Sequence, residues 1–228
     1  MSNRCGLVTI HAGQKYESLA ELTWTNNREL YAKKHGYDAI AKTTDLKRTH
    51  LNANGHTLLG YEKIELLLEL LNAGNHDILH WSGADTMITN FKIPLPEFYY
   101  PGYSVVIATD FNSINADSFI LFNTPDAKRW LQRLLDLEPV YCNKPAIEQD
   151  AMCDIQEEFK NIVKIVPQRY LNAYHYPIYR TRANATSNMD SLGYSGNWQP
   201  GDFLIHCPGQ PNEIRIELFN QIKDLIIQ

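Results

Sequence analysis

Two rhythms of apolar and polar positions alternate along this chain, and the changeovers mark its elements. "CGLVTI" (residues 5–10) is a continuous apolar run suited to a central parallel strand. In "SLAELTWTNNRELYAKKHG", Leu19, Leu22, Asn26 and Leu30 keep helical spacing. Ser18 and Glu21 make a capping box there, and Lys33, Lys34 and Gly36 supply a C-terminus. "YDAIA" (residues 37–41) returns as a second strand and completes a βαβ unit. "GYEKIELLLELL" predicts a second helix, with Tyr61, Ile64, Leu68 and Leu71 on one face and Glu62, Glu65 and Glu69 opposite. It leads into a buried strand over residues 78–81.

"SVVIA" (104–108) and "SFILF" (118–122) are further strands. Thr124-Pro125 caps and starts a helix whose stripe is Ala127, Trp130, Leu131, Leu134 and Leu135. A helix over residues 147–159, aligning Ile147, Ala151, Ile155 and Phe159, precedes the strand "IVKIV". Residues 167–211 are rich in Tyr, Asn, Gly and Pro, with one strand-like piece, "FLIH", and a helix over 213–227 follows. There is no repeat and no low-complexity linker. The pattern predicts an α/β fold with a Rossmann-like, mostly parallel sheet flanked by helices, and such sheets bind ligands beyond the carboxyl ends of their strands.

Composition narrows the partners. At 228 residues, 44% hydrophobic and 21% charged, the chain is expected to be one soluble domain. A net charge of −5 with intermixed signs argues against nucleic acid. Cys5, Cys142, Cys153 and Cys207 lack metal-cluster spacing, and Cys5 and Cys207 lie in apolar runs as buried thiols, which favours a reducing cytoplasm. "MSNRCGLVTI" has no long apolar segment, so neither a secretory signal nor a membrane span is expected. "HAGQKY" is not G-x-G-x-x-G, which excludes a nicotinamide site after the first strand.

Candidate chemistry gathers at strand ends. In "HDILHWSGADTMITN", Asp85 follows a buried strand inside a loop of small residues, where a carboxylate can hold a divalent cation that bridges phosphates. Capping a turn is the ordinary alternative for such an Asp. "ATDFNSINADSF" gathers Asp110, Asn112, Asn115 and Asp117 between two strands. "AIEQDAM" puts Glu148, Gln149 and Asp150 in the first turn of a helix, where the dipole alone would favour acids. His206 ends a strand before a Pro-Gly turn, a better position than average for a ligand.

The ordered motifs "HGYD", "LGYEKIELLLELL", "ILHWSGADTMITN", "INADSFILFNTPDAKRWL", "EQDAM" and "GDFLIHCPG" resemble glycosyltransferase family 34, the galactosyl-, mannosyl- and xylosyltransferase group, over residues 9–209. The resemblance implies a GT-A fold in one domain, 1–228, with a nucleotide-binding half at 1–90 and an acceptor-binding half with flap and closing helix at 91–228. It implies a nucleoside diphosphate sugar donor (UDP- or GDP-linked), a carbohydrate or other hydroxyl acceptor, retention at the anomeric carbon, and a soluble protein of microbial or viral kind. Mn²⁺, or Mg²⁺, would be held by Asp85 and His206; mixed N/O ligation suits Mn²⁺ better. Gln149 would lie nearest the anomeric carbon, with Glu148 and Asp110 on sugar hydroxyls or the acceptor. Thr9, His11 and Ala12 would meet base and ribose, and Lys63 a phosphate. Gly83, Ala84, Asn115 and Gly209 would complete the donor pocket. Tyr174, Tyr176, Tyr179 and Tyr194 either stack on sugars or pack a flap among themselves.

Three departures stand out. Gly83 replaces the first acid of the family's Asp-x-Asp, Ala116-Asp117 replaces Thr-Gly after Asn115, and Asn123 replaces an Arg. The alternative function is therefore a non-catalytic sugar-nucleotide or glycan-binding module with a degraded metal site.

Overall fold

The apolar runs become strands: β1 (Cys5–Ile10), β2 (Asp38–Lys42), β3 (Ile78–Ser82), β4 (Thr86–Ile88), β5 (Val105–Thr109), β6 (Ile114–Phe122), β7 (Val163–Val166), β8 (Ala173–Tyr174) and β9 (Leu204–His206). The computed structural model describes residues 3–11, 13–179 and 188–228. Six strands form one sheet in the order β2-β1-β3-β6-β5-β7, and β4, β9 and β8 form a second. β1 runs parallel to β2 and β3, and β5 to β7, while β6 is antiparallel to both neighbours. The sheet is therefore parallel-rich with one reversed strand, and β6 carries its side chains directly alongside the end of β3.

Helices cover both faces. α1 (Glu17–Ala20) continues through a π-helical stretch, Glu21–Arg28, into α2 (Glu29–His35). α3 (Leu59–Ala73), α4 (Pro125–Asp136), α5 (Glu138–Tyr141), α6 (Glu148–Asp154), α7 (Gln168–Leu171) and α8 (Asn212–Ile222) follow. Ile64, Leu67 and Leu71 of α3, with Trp130, Leu131 and Leu134 of α4, pack on Val8, Leu79, Phe119 and Leu121. On the other face, Trp24, Tyr31 and Ala32 pack on Cys5, Leu7, Ile78 and Ile120.

Thr124 caps α4 as expected, its Oγ1 accepting from the Ala127 N–H at 3.1 Å. The first helical stretch departs from its pattern. Its N-cap is Tyr16, so Ser18 lies within the helix and makes no capping box. Leu30 is half exposed, Asn26 is exposed, and the buried face carries Thr23, Asn27 and Arg28. These polar groups satisfy backbone: Asn27 bonds both the N–H and the C=O of Ile88. Glu62, placed on the outer face by its spacing, is also buried, held by Lys42 and the Lys47 and Arg48 amides. The helix expected over 147–159 regularises only from Glu148 to Asp154, although Ile155 and Phe159 remain buried. All four cysteines are free, with Cys5 and Cys207 buried. Among the described residues, no helix is long and apolar enough to cross a membrane.

Candidate active site

β3 ends on Ser82, and the chain turns at once into β4. The Thr86 hydroxyl and amide both donate to the Gly83 carbonyl, at 2.8 and 3.3 Å, which fixes Ala84 and Asp85 at the tip. β4 pairs antiparallel with β9, setting Thr86 opposite His206, and the Cys207 N–H donates to the Asp85 carbonyl at 2.9 Å. Strand pairing thus brings an acid from one third of the chain to an imidazole from its last tenth.

Arg28 secures this tip from beneath. Its guanidinium is fully buried and donates to Thr23 O, Ser82 O, Ser82 Oγ and Gly83 O at 2.8 to 3.0 Å. Burial pulls its pKa down to about 9, partly offset by the charge of Asp85. No spacing rule marks a lone Arg in a helix as a backbone clamp.

Asp85, Asp117 and His206 form the centre: one ligand atom from each lies within 4.8 Å of the others. His206 Nε2 stands 3.3 Å from Asp85 Oδ1 and 3.6 Å from Asp117 Oδ2. Its Nδ1–H donates to Asn172 Oδ1 at 2.6 Å, which leaves Nε2 aimed at the acids, the arrangement of a metal-binding imidazole. Arg215 of α8 reaches Asp85 Oδ2 at 2.6 Å. Burial opposes ionisation of Asp85, but His206 and Arg215 outweigh it and hold its carboxyl below the usual range. Burial likewise opposes the charge on His206, and the two acids outweigh it and raise its pKa. Burial first, then Asp85 and Glu148, push the Asp117 carboxyl up.

The cluster faces a cavity of about 220 Å³. Of the residues expected from sequence, Gly83, Ala84, Asp85, Lys63 and Glu148 line it. Lys63 is buried, its ammonium bonded to Glu148 Oε1 at 2.7 Å and to Ala116 O at 2.9 Å. The carboxylate of Glu148 lies where a Cβ on Gly60 would have to be, so the close approach of α3 and α6 requires that glycine.

Other expected residues stand outside the cavity lining. The Gln149 amide oxygen accepts from the Ala116 N–H at 3.0 Å, tying α6 to β6. Asp110 closes the β5–β6 turn through the Asn112 and Ser113 amides, and it also accepts from Asn115 Nδ2 and Tyr174 Oη. Thr9 donates to Ser82 O, and Asn115 Oδ1 accepts from the Asp117 N–H. His11 is buried against Trp24, neither ring nitrogen has a hydrogen bond, and burial lowers its pKa to about 4. Gly209 takes a left-handed φ of 63° in the turn after β9, and Ala12 lies outside the described residues. Tyr174, Tyr176 and Tyr179 are 1% exposed and pack on one another, so they form a core and present no face for a sugar; Tyr194 is exposed. Sequence reasoning did not group Asp117 with Asp85 and His206, and missed Arg215 and Arg28 altogether. The available signal for Asp117 was its strand register, since it stands beside the missing acid at 83.

The parallel-rich sheet with its reversed strand and acid-bearing tip is the GT-A architecture of sugar-nucleotide transferases. A glycosyltransferase involved in glycosylation of the major capsid of PBCV-1 shares it with a TM-score of 0.71, at 14% identity over 96% of this chain and 99% of that one. Mouse xyloside xylosyltransferase 1 follows at 0.58, with 10% identity over 91% and 99% of the two chains. The galactosyltransferase LgtC, solved with donor and acceptor sugar analogs, gives 0.55 at 12% identity over 98% and 96%. At the level of sequence, residues 96–213 match the galactosyl transferase GMA12/MNN10 family, and the chain belongs to that family. A probable alpha-1,2-galactosyltransferase of Schizosaccharomyces pombe, gmh2, is 30% identical over 108 residues, which is 46% of this chain but only 27% of that protein.

Proposed function

We propose that this chain transfers a hexose or pentose from a nucleoside diphosphate sugar to a carbohydrate or other hydroxyl acceptor, with retention at the anomeric carbon and help from a divalent cation. The observation that carries the reading is the buried His206 Nε2, aimed at two carboxylates that line a cavity at the strand tip of a family member. Its donor set, one imidazole nitrogen and carboxylate oxygens, fits Mn²⁺, with Mg²⁺ as the harder alternative. Asp85 and His206, joined by Asp117, would hold the ion. When bound, it neutralises charge building on the departing diphosphate.

The remaining work falls to the chain's own groups. Arg215 lies beside Asp85 and can shift a donor toward an incoming phosphate. Lys63 supplies fixed positive charge behind Glu148 and Asp117. Glu148, at the cavity wall, can accept from a sugar hydroxyl. Gln149, which the family resemblance would put nearest the anomeric carbon, is held by the Ala116 N–H through its oxygen just outside the cavity lining. Residues 1–90 would serve the nucleotide and residues 91–228 the acceptor. The binding-module alternative drew on the missing acid at Gly83, and an acid at Asp117 beside that position favours the catalytic reading over it.

A thermal-shift panel of UDP, GDP, dTDP and their sugars, with and without Mn²⁺, tests the reading. A true donor raises the melting temperature only with the cation, and labelled donor then reports hydrolysis that Asp85→Ala abolishes. Stabilisation by no sugar nucleotide, or unchanged hydrolysis in that variant, would overturn it.

A further inference from the structure

Gly83 and Asp117 face each other across the last rung of the β3–β6 ladder. Ser82 pairs with Ser118, and one step further the Gly83 N–H donates to the Asp117 carbonyl at 2.8 Å. A Cβ built on Gly83 would lie 3.0 Å from Asp85 Oδ1 and 3.4 Å from Asp117 Oδ1. A side chain at 83 would therefore start in space these two carboxylates already border. The Asp117 side chain is 43% exposed, opening to the cavity rather than into the core.

We infer that the second carboxylate of the cation site has crossed the sheet. Asp117 on β6 supplies from the opposite strand what a residue at 83 would supply in line with Asp85, and Gly83 is the absence of side chain that makes room for it. Opposed positions on an antiparallel pair hold their side chains close enough for either strand to place a group at one point. Two observations outside the acids point to an ion there. His206 Nε2 is fully buried, lacks a hydrogen bond and is aimed at both carboxylates, and Asn172 fixes its other nitrogen as the donor. Arg215 pairs with one oxygen of Asp85, so Asp85 Oδ1, Asp117 Oδ2 and His206 Nε2 are the atoms left to converge on one point, where a cation would bind all three.

Positions 83 and 117 are then coupled: one carries an acid only if the other does not. The sequence alone suggests that Gly83→Asp should tighten cation binding. The structure reverses this, because the new carboxylate would crowd Asp85 and repel Asp117.

The inference rests on the metal-assisted reading, but its test needs no sugar transfer. Mn²⁺ affinity is measured by calorimetry and by electron paramagnetic resonance, without nucleotide, for the unaltered chain, Asp117→Gly, Gly83→Asp and the double exchange. Loss of outer partners of a metal ligand already weakens binding about tenfold or more, so Asp117→Gly should cost at least that much. Gly83→Asp alone should bind no tighter than the unaltered chain. The double exchange should recover most of the loss, and circular dichroism melts show whether each variant is folded. Unchanged affinity in folded Asp117→Gly, no recovery in a folded double exchange, or no Mn²⁺ binding by the unaltered chain at millimolar ion would each overturn it. Failure of sugar transfer with these affinities as expected would overturn only the proposed reaction.

Discussion

Replacing Arg28 with methionine asks how much the active tip owes to one buried charge. Its four hydrogen bonds to Thr23 O, Ser82 O, Ser82 Oγ and Gly83 O are each of a kind that contributes about 1.5–3 kcal/mol, or about 6–12 kcal/mol gross. Burial works against the charge: a pKa brought down from 12.5 to about 9 corresponds to a penalty of about 5 kcal/mol on the charged form. Methionine fills most of the volume and removes both contributions. Two of the acceptors would not be stranded, since Ser82 O still accepts from Thr9 Oγ1 and Gly83 O from Thr86 Oγ1. The balance is a net loss of about 2–4 kcal/mol, well below the gross sum. The cation should bind several-fold more weakly, because the residues before Asp85 lose their anchor. Urea unfolding reads the first quantity and Mn²⁺ calorimetry the second. Arg28→Lys, with charge but no planar fork, should recover only part of either. If Arg28→Met unfolds within about 0.5 kcal/mol of the unaltered chain, as neutral surface changes do, and keeps its Mn²⁺ affinity, the clamp is incidental.

Other expectations follow from the same structure. Lys63→Met leaves Glu148 unpaired beside Asp117 and should cost about 3–5 kcal/mol, whereas Lys63→Met with Glu148→Gln should cost clearly less; equal losses in urea melts would show that the pair is not coupled. Burial lowers His80 to about 3 and His11 to about 4, so both are neutral in the fold and the unfolded chain takes up more protons below pH 6.5. Stability should fall as pH drops from 6.5 toward 4, by up to about 2.7 kcal/mol per pH unit from the pair, and His80→Phe should flatten the curve; an unchanged slope would remove that histidine's part. Arg215→Ala should raise the donor KM more than it lowers kcat if the side chain only grips phosphate, and the reverse split would place it in the transition state. Gln149→Ala should lower kcat far more than donor affinity, and equal losses would make it a binding residue only.

The elements built on continuous apolar runs were legible because burial on two faces leaves no polar positions to confuse the pattern. β1, β3 and β5 appear where the sequence puts them, and Thr124-Pro125 opens α4 through a local hydrogen bond that composition alone can signal. The first helix was harder. Its buried face mixes Leu19, Trp24, Tyr31 and Ala32 with Thr23, Asn27 and Arg28, polar side chains that bond carbonyls of another segment and interrupt the hydrophobic period. The site divided in the same way. Asp85 and His206 were visible as polar residues at the tips of apolar strands. Asp117 was noted only within a polar segment between two strands; it lies inside β6, and its place beside Asp85 emerges only once the facing position on β3 is known. Asp110 closes the β5–β6 hairpin, and of the two readings the sequence left open for Tyr174, Tyr176 and Tyr179 the structure has the packing one, a satellite core.

Because Asp85, Asp117 and His206 come from three stretches of the sequence, a ribosome making this chain releases the two acids long before the imidazole. Until β9 is synthesised and pairs with β4, the acids at the tip have no imidazole to face. The nascent polypeptide therefore assembles this cluster late and in one step, with the docking of its final sheet.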